Sequence, residues 1–313
     1  MPPDRHSSHL HLAILDAHTG QQLSNHEWPC SSVSVNLAYT ASGQWLLSSD
    51  QMVTLYSPSF DKVRDLQNVR AARFHTFVSP SGRTFLSYGS DSHGGWSAQL
   101  RDSATLDVID SLNDPRVDKA HFAYSDHFAL ARIIKPRTPE RFELRKIGGE
   151  SNPYSLPVND SQPAARHVLG FVNDDTIASF TGHELVVLTI GGTEMFSSTV
   201  PETGLFLSSW ATSATSARGG RFAVILDRSR GLRIDTLDMY PFQSDDRVIV
   251  YSIPQRGPIF SVKVKGASPW PTLTSSHPIW NRIALSPDGK LLGITSDEGV
   301  RVYVLPPDEP EKP

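Results

Sequence analysis

Ser286-Pro287-Asp288-Gly289, followed at 290–305 by KLLGITSDEGVRVYVL, is the stretch on which the architecture turns. Pro presets the first angle of a tight turn, and Asp and Gly tolerate the left-handed backbone that closes it. Two short apolar runs follow, Leu291–Ile294 and Val300–Val304, joined by a second polar turn. Their alternation and β-branched content mark strands.

Outward from this stretch, the same unit recurs. A short apolar run, a small polar turn and another apolar run appear six times, with turns at Ala41-Ser42-Gly43, Ser79-Pro80-Ser81-Gly82, Ser125-Asp126-His127, Asn173-Asp174-Asp175, Ala217-Arg218-Gly219-Gly220 and Ser286–Gly289. After each turn comes a b strand: 45–47, 85–88, 128–130, 177–180, 222–226 and 291–294. A c strand follows each: 53–56, 98–100, 142–144, 185–188, 248–251 and 300–304. The turns lie about 39 to 48 residues apart over four intervals and about 69 in the last, near the 40–50-residue period of propeller blades. No apolar period of 3.6 is sustained over ten residues, so helices are expected to be nearly absent.

The Ser-Pro-Asp-Gly stretch and its two strands resemble the WD40 consensus of strand a, turn, strand b, turn, strand c. Leu12-Ala13-Ile14-Leu15-Asp16-Ala17-His18-Thr19-Gly20 resembles a c strand ending in Asp-x-x-Thr-Gly. The resemblance spans nearly the whole chain and is strongest at these two places and at 73–112. Trp-Asp at the end of strand c is absent, and Gly182-His183 falls between strands b and c, so the family's Asp–His–Ser/Thr–Trp network has no place here. The chain resembles divergent bacterial WD40-like (WD40/YVTN repeat-like) propellers. The resemblance implies an all-β fold of six or seven four-stranded blades in one domain over 9–306, with 1–8 and 307–313 as flexible tails. It also implies a ring closed by N-terminal strand pairing, with 21–27 as the outer strand of the last blade. Residues 10–15 are then a surplus c-like strand, or part of a seventh blade.

In such blades the a–b and c–d connections share one face, and the b–c and d–a connections the other. All six a–b turns are tight. The long segments, 89–96, 133–141, 157–165, 228–246 and 265–280, belong to the other face. Long ordered loops on a rigid scaffold are disproportionately functional. The two longest carry Met239, Tyr240, Phe242, Trp270 and Trp280 with Arg228, Arg230 and Arg233. Aromatic residues, Met and Arg are enriched at protein interfaces. This corner is therefore the candidate partner-binding site; the competing reading is that its aromatics cover the protein's own core.

Motifs for chemistry are sparse. His6, His9 and His11 form a His-x-x-His-x-His run; on a strand, His9 and His11 share a face about 7 Å apart. A zinc site needs further ligands that the spacing does not supply, so no metal is expected. A single Asp16-x-x-Thr19-Gly20 is also a feature of quinone-binding propellers, which repeat it with tryptophans that are misplaced here. Asp174-Asp175 and Asp245-Asp246 read as solvated turns rather than calcium ligands. Arg132, Lys135, Arg137, Arg141, Arg145 and Lys146, with Glu140 and Glu143 between them, read as a solvated face. Asn159-Asp160-Ser161 matches a glycosylation sequon. No phosphate-binding glycine loop or nucleophile elbow is present, and no cofactor is expected.

Net charge of −4, with both signs mixed along the chain, gives no general attraction to nucleic acid. The single Cys30 allows no disulfide within the chain, and no apolar run approaches the ~20 residues of a membrane span. The sequence as it stands reads as soluble and cytoplasmic, or as periplasmic or secreted if an upstream signal segment precedes it. The resemblance implies a non-enzymatic scaffold that binds a protein or peptide. The alternative is a propeller hydrolase, such as a lactonase, or a small-molecule or metal binder, with a site at the channel mouth. His75, His121 and His167, at similar positions on three successive a strands, are the residues it would use.

Overall fold

The structure, a computed structural model, describes residues 8–30, 35–49, 52–66, 73–79, 81–90, 96–112, 128–133, 141–146, 154–155, 167–173, 175–180, 184–200, 213–216, 220–226, 245–265, 283–296 and 298–308. It falls into two compact units. The first comprises Met1–Val78 with Gly82–Asp114, and the second Ser79–Ser81 with Pro115–Pro313.

The first unit holds three antiparallel sheets. β1 (Ser8–Leu15) pairs with β2 (Gln22–Cys30). β3 (Val35–Tyr39), β4 (Trp45–Ser49), β5 (Met52–Tyr56) and β6 (Lys62–Leu66) form the next, in chain order. β7 (Arg73–Val78), β8 (Thr84–Ser90), β9 (Trp96–Asp102) and β10 (Val108–Leu112) form the third. The second unit holds four. β11 (Phe128–Ile133), β12 (Arg141–Lys146) and β13 (Tyr154–Ser155) make one. β14 (His167–Asn173), β15 (Thr176–Phe180), β16 (Glu184–Thr189) and β17 (Glu194–Thr199) make another. β18 (Ser213–Thr215), β19 (Arg221–Leu226), β20 (Asp245–Ser252) and β21 (Gly257–Lys265) make a third, and β22 (Ile283–Leu285), β23 (Leu291–Ser296) and β24 (Gly299–Val304) the last. All twelve b and c strands read from the sequence fall on strands, and no helix occurs among the described residues.

One expectation is corrected. Among the described residues only four sheets have four strands; two have three and one has two, so six or seven complete blades are not present. The expected first strand with His121, before β11, lies outside the described residues. Of residues 21–27, all but the first lie within β2. β2 pairs with β1, with Leu12 opposite His26, and β24 pairs only with β23 among the described residues.

Where the described side chains show it, successive sheets stack face to face, and alternation along a strand sends neighbouring residues into different cores. In β19 and β20, Phe222, Val224, Leu226, Ile249 and Tyr251 face β14–β17, where they meet Val172, Phe180, Leu185 and Val187. The intervening Ala223, Ile225, Val248 and Val250 face β22–β24, against Ile283, Leu292 and Ile294. The first unit repeats the pattern. Leu46, Val53 and Leu55 pack with Phe85 and Leu106, while Leu47 and Tyr56 pack with Phe60, Trp28, Leu12 and Ile14. Fully burying each large apolar side chain is worth about 1.5–3 kcal/mol. The first strands β14, β18 and β22 lie side by side, as do β3 and β7, the arrangement of adjoining blades.

The described c–d turns share one device. The residue just before each closing position is left-handed: Gly20 (φ 71°), Phe60 (65°), Leu106 (63°), Gly192 (82°) and Arg256 (53°). Beside each, the ladder slips by a residue. A turn followed by a left-handed residue and a bulge matches the twist of the strands it joins. Phe60 and Leu106 carry buried side chains, whereas Arg256 is exposed.

Two predictions follow from this packing. Replacing Arg256 by Gly removes a left-handed non-glycine and should stabilise the chain by about 1 kcal/mol, whereas Phe60→Gly, with the same backbone relief, should lose about 3 kcal/mol or more through its cavity. Urea unfolding of both variants reads the difference. Tyr251 is fully buried, its hydroxyl has no partner among the described residues, and burial pushes its phenol up to about 12. Tyr251→Phe should therefore raise stability by about 1 kcal/mol; a lower unfolding midpoint would instead reveal a bonded hydroxyl.

Candidate functional site

The strand order gives every sheet two unlike ends. At one end stand the short a–b and c–d turns, stitched by backbone bonds such as Gly43 N–H to Thr40 O at 3.0 Å and Gly289 N–H to Ser286 O at 2.8 Å. Side chains reinforce them. Asp16 Oδ1 accepts from the N–H groups of His18 (2.9 Å) and Thr19 (2.7 Å) and from the Thr19 hydroxyl (2.9 Å). Asp102 Oδ1 accepts from the N–H groups of Ala104 and Thr105, both at 2.8 Å. The Asp-x-x-Thr pattern is thus accounted for by turn formation. Asn173 likewise bonds forward along the chain. Its Oδ1 accepts from Asp175 N–H at 2.9 Å and the Thr176 hydroxyl at 2.7 Å.

The b–c and d–a connections leave from the opposite end. In β18–β21 the register sets Leu226 opposite Arg247, Arg247 opposite Lys263, and Asp245 opposite Lys265. The strand ends at Leu226, Asp245 and Lys265 therefore lie at one end of a single sheet, with β19 and β21 about 10 Å apart. The two longest connections, 227–244 and 266–282, depart from these points. Asp246, beside their roots, is fully buried and is not left free; a carboxylate withdrawn from water is retained only when it is paired or hydrogen-bonded.

The side chains proposed for this corner, Met239, Tyr240, Phe242, Arg228, Arg230, Arg233, Trp270 and Trp280, lie outside the described residues. So does His121. His75 sits on β7 opposite Tyr88, the fourth pair from the a–b turn. His167 sits on β14 opposite Phe180, the fifth pair. The two histidines belong to different units, and their side chains lie outside the described set.

One cluster was incomplete in the sequence reading. The hairpin register places Glu27 directly across from His11. Its Oε1 is hydrogen-bonded to His9 Nδ1 and lies 3.8 Å from His11 Nε2. Counting back from the turn at 16–21 would have found it. The group is half-exposed, and among the described residues no set of three His, Cys, Asp or Glu is placed to hold a metal ion. Hydrogen bonding from His9 holds the Glu27 carboxyl below the ordinary glutamate value, with the charge of His11 adding to it.

No family model matches the chain, and no curated protein matches it. Solved structures do. A functionally unknown protein from Desulfotomaculum acetoxidans superposes with a TM-score of 0.58 at 11% identity, covering 94% of this chain and 89% of that one. A chain of the mitotic checkpoint complex gives 0.56 at 15%, covering 95% and 84%. The C-terminal WD40 domain of Sif2 gives 0.51 at 12%, covering 92% and 86%. Likeness at such low identity shows the fold, which is a divergent WD40-like β-propeller. Among the described residues no helix is long and apolar enough to cross a membrane.

The Glu27 contact is directly testable. A folded carboxyl held below its ordinary value adds stability above that value and loses it as pH falls through the lowered one. In an NMR titration, Glu27 should ionise below the ordinary glutamate range, and His9→Ala should move it back up. An unmoved midpoint in the variant would show that His9 is not the cause.

Proposed function

We propose that residues 9–306 form one propeller domain acting as a non-enzymatic scaffold, which presents its loop-bearing face to a protein or peptide. The observation that carries this reading is the segregation of connections. Every described a–b and c–d turn is short and internally bonded, while both longest connections spring from one end of β18–β21. A scaffold with one rigid end and one elaborated end suits recognition, because the sheets fix where the loops emerge. The likeness to propellers within WD40 proteins and a protein assembly supports a protein partner by analogy of fold. The partner-facing residues are those of the two long connections: Trp270, Trp280, Phe242, Tyr240, Met239, Arg230 and Arg233. Their types supply the apolar anchors and planar cations that dominate interface energetics.

Alanine replacement of Trp270 and Phe242 in the intact chain tests the reading, with affinity capture and thermal unfolding measured on the same preparations. The expected result is an unchanged midpoint with affinity for the captured partner reduced about tenfold or more, about 1.4 kcal/mol. Loss of folding in both variants would make these aromatics the protein's own core and overturn the assignment.

A further inference from the structure

The last sheet, β22–β24, has three strands where its neighbour β18–β21 has four. One face is secured: Leu292, Ile294 and Leu305 are buried against Ile225, Val248 and Val250. The other carries Val300, Val302 and Val304, exposed to 60%, 41% and 73%. A short sheet whose second face is exposed opens more readily than one buried on both faces.

The chain beyond β24 turns back onto the neighbouring sheet. Leu305 N–H donates to Lys290 O at 2.8 Å. Arg221, on β19 and only 4% exposed, then gathers three points. Its Nη1 donates to Gly289 O at 2.9 Å, in the turn between β22 and β23. Its Nη2 donates to Pro306 O at 2.8 Å and lies 3.1 Å from Asp308 Oδ1. Ser252, at the end of β20, donates its hydroxyl to the same Asp308 oxygen at 2.9 Å. The fit is close, since a Cβ on Gly289 would stand 2.9 Å from Arg221 Cδ. A buried guanidinium needs an anion, and here the anion is supplied by a segment that the sequence reads as tail.

We infer that Arg221, Ser252 and Asp308 form a clasp by which the segment after the last strand locks β22–β24 onto β18–β21, so that releasing it lets the last sheet open while the rest of the unit stays folded. Arg221 bonds to two points of that sheet's chain, the β22–β23 turn and the exit from β24. The guanidinium fork holds them together as a single-point contact would not.

Hydrogen exchange on the full chain tests the clasp. In Asp308→Ala, amides of β23 and β24 should exchange about tenfold faster or more, the scale of losing a charge-assisted bond, while amides of β15 and β16 keep their rates. Ser252→Ala, which leaves the ion pair in place, should shift the same amides in the same direction by less. Unchanged exchange in β23 and β24, or equal acceleration in β15 and β16, would overturn the clasp. The first outcome would show a segment that holds nothing, and the second a general loss of stability.

Discussion

A strand inside a stack of sheets must bury both of its faces, and every other feature of this chain depends on that demand. In β19 and β20 successive residues serve different cores. The bulkier set, Phe222, Val224, Leu226, Ile249 and Tyr251, faces β14–β17, and a smaller set including Ala223 faces β22–β24. A slip of one residue would exchange the sets. Phe222 and Tyr251 would then be forced into the space made for Ala223 and Val250. The packing that stabilises the stack is therefore worth something only in one register.

Register is held by the turns, and the left-handed residues show how much local strain is tolerated to hold it. A left-handed non-glycine is disfavoured by roughly 1–2 kcal/mol. At Phe60 that penalty is offset within the same residue, because the ring enters a core lined by Leu47, Tyr56, Trp28 and Trp45 and stacks on Trp45 at a centroid distance of 5.3 Å. Leu106 does the same beside Leu46, Leu55 and Phe85. Turn and core are thus one structure at these positions: the residue that closes the hairpin also plugs the gap between sheets. Gly20 and Gly192 reach the same backbone without a plug.

The strands were legible because alternation is local, and it survives even where the Trp-Asp signature of the resembling family is lost. The a–b turns were legible for the same reason: Gly43, Gly82, Gly220 and Gly289 each occupy a left-handed position that their sequence announces. The pairing at the start of the chain was left open, because a single strand does not reveal which edge it joins; β2 pairs with β1. Glu27 was missed because its proximity to His9 and His11 exists only once the hairpin register is fixed. Arg221 and Asp308 were missed because 87 positions of chain separate them, and nothing in a b strand announces that its first residue will need an anion. Of the candidate corner, only the end of the sheet from which its two connections leave was legible. Antiparallel order assigns each connection to an end of its sheet, whereas the side chains of a long connection follow no period.

That difference between the ends has an energetic basis. At the turn end, inserting or deleting a residue shifts register, and with it two cores. At the other end a connection need only return the chain to the next strand. Between β4 and β5 it spans residues 50–51, and between β19 and β20 it spans 227–244. Lengthening a flexible connection through about three doublings costs only about 2 kcal/mol in closure entropy. A single well-buried side chain is worth as much, and β19 is buried along its whole length. The sheet that carries the longest connections is thus one that packs on both faces.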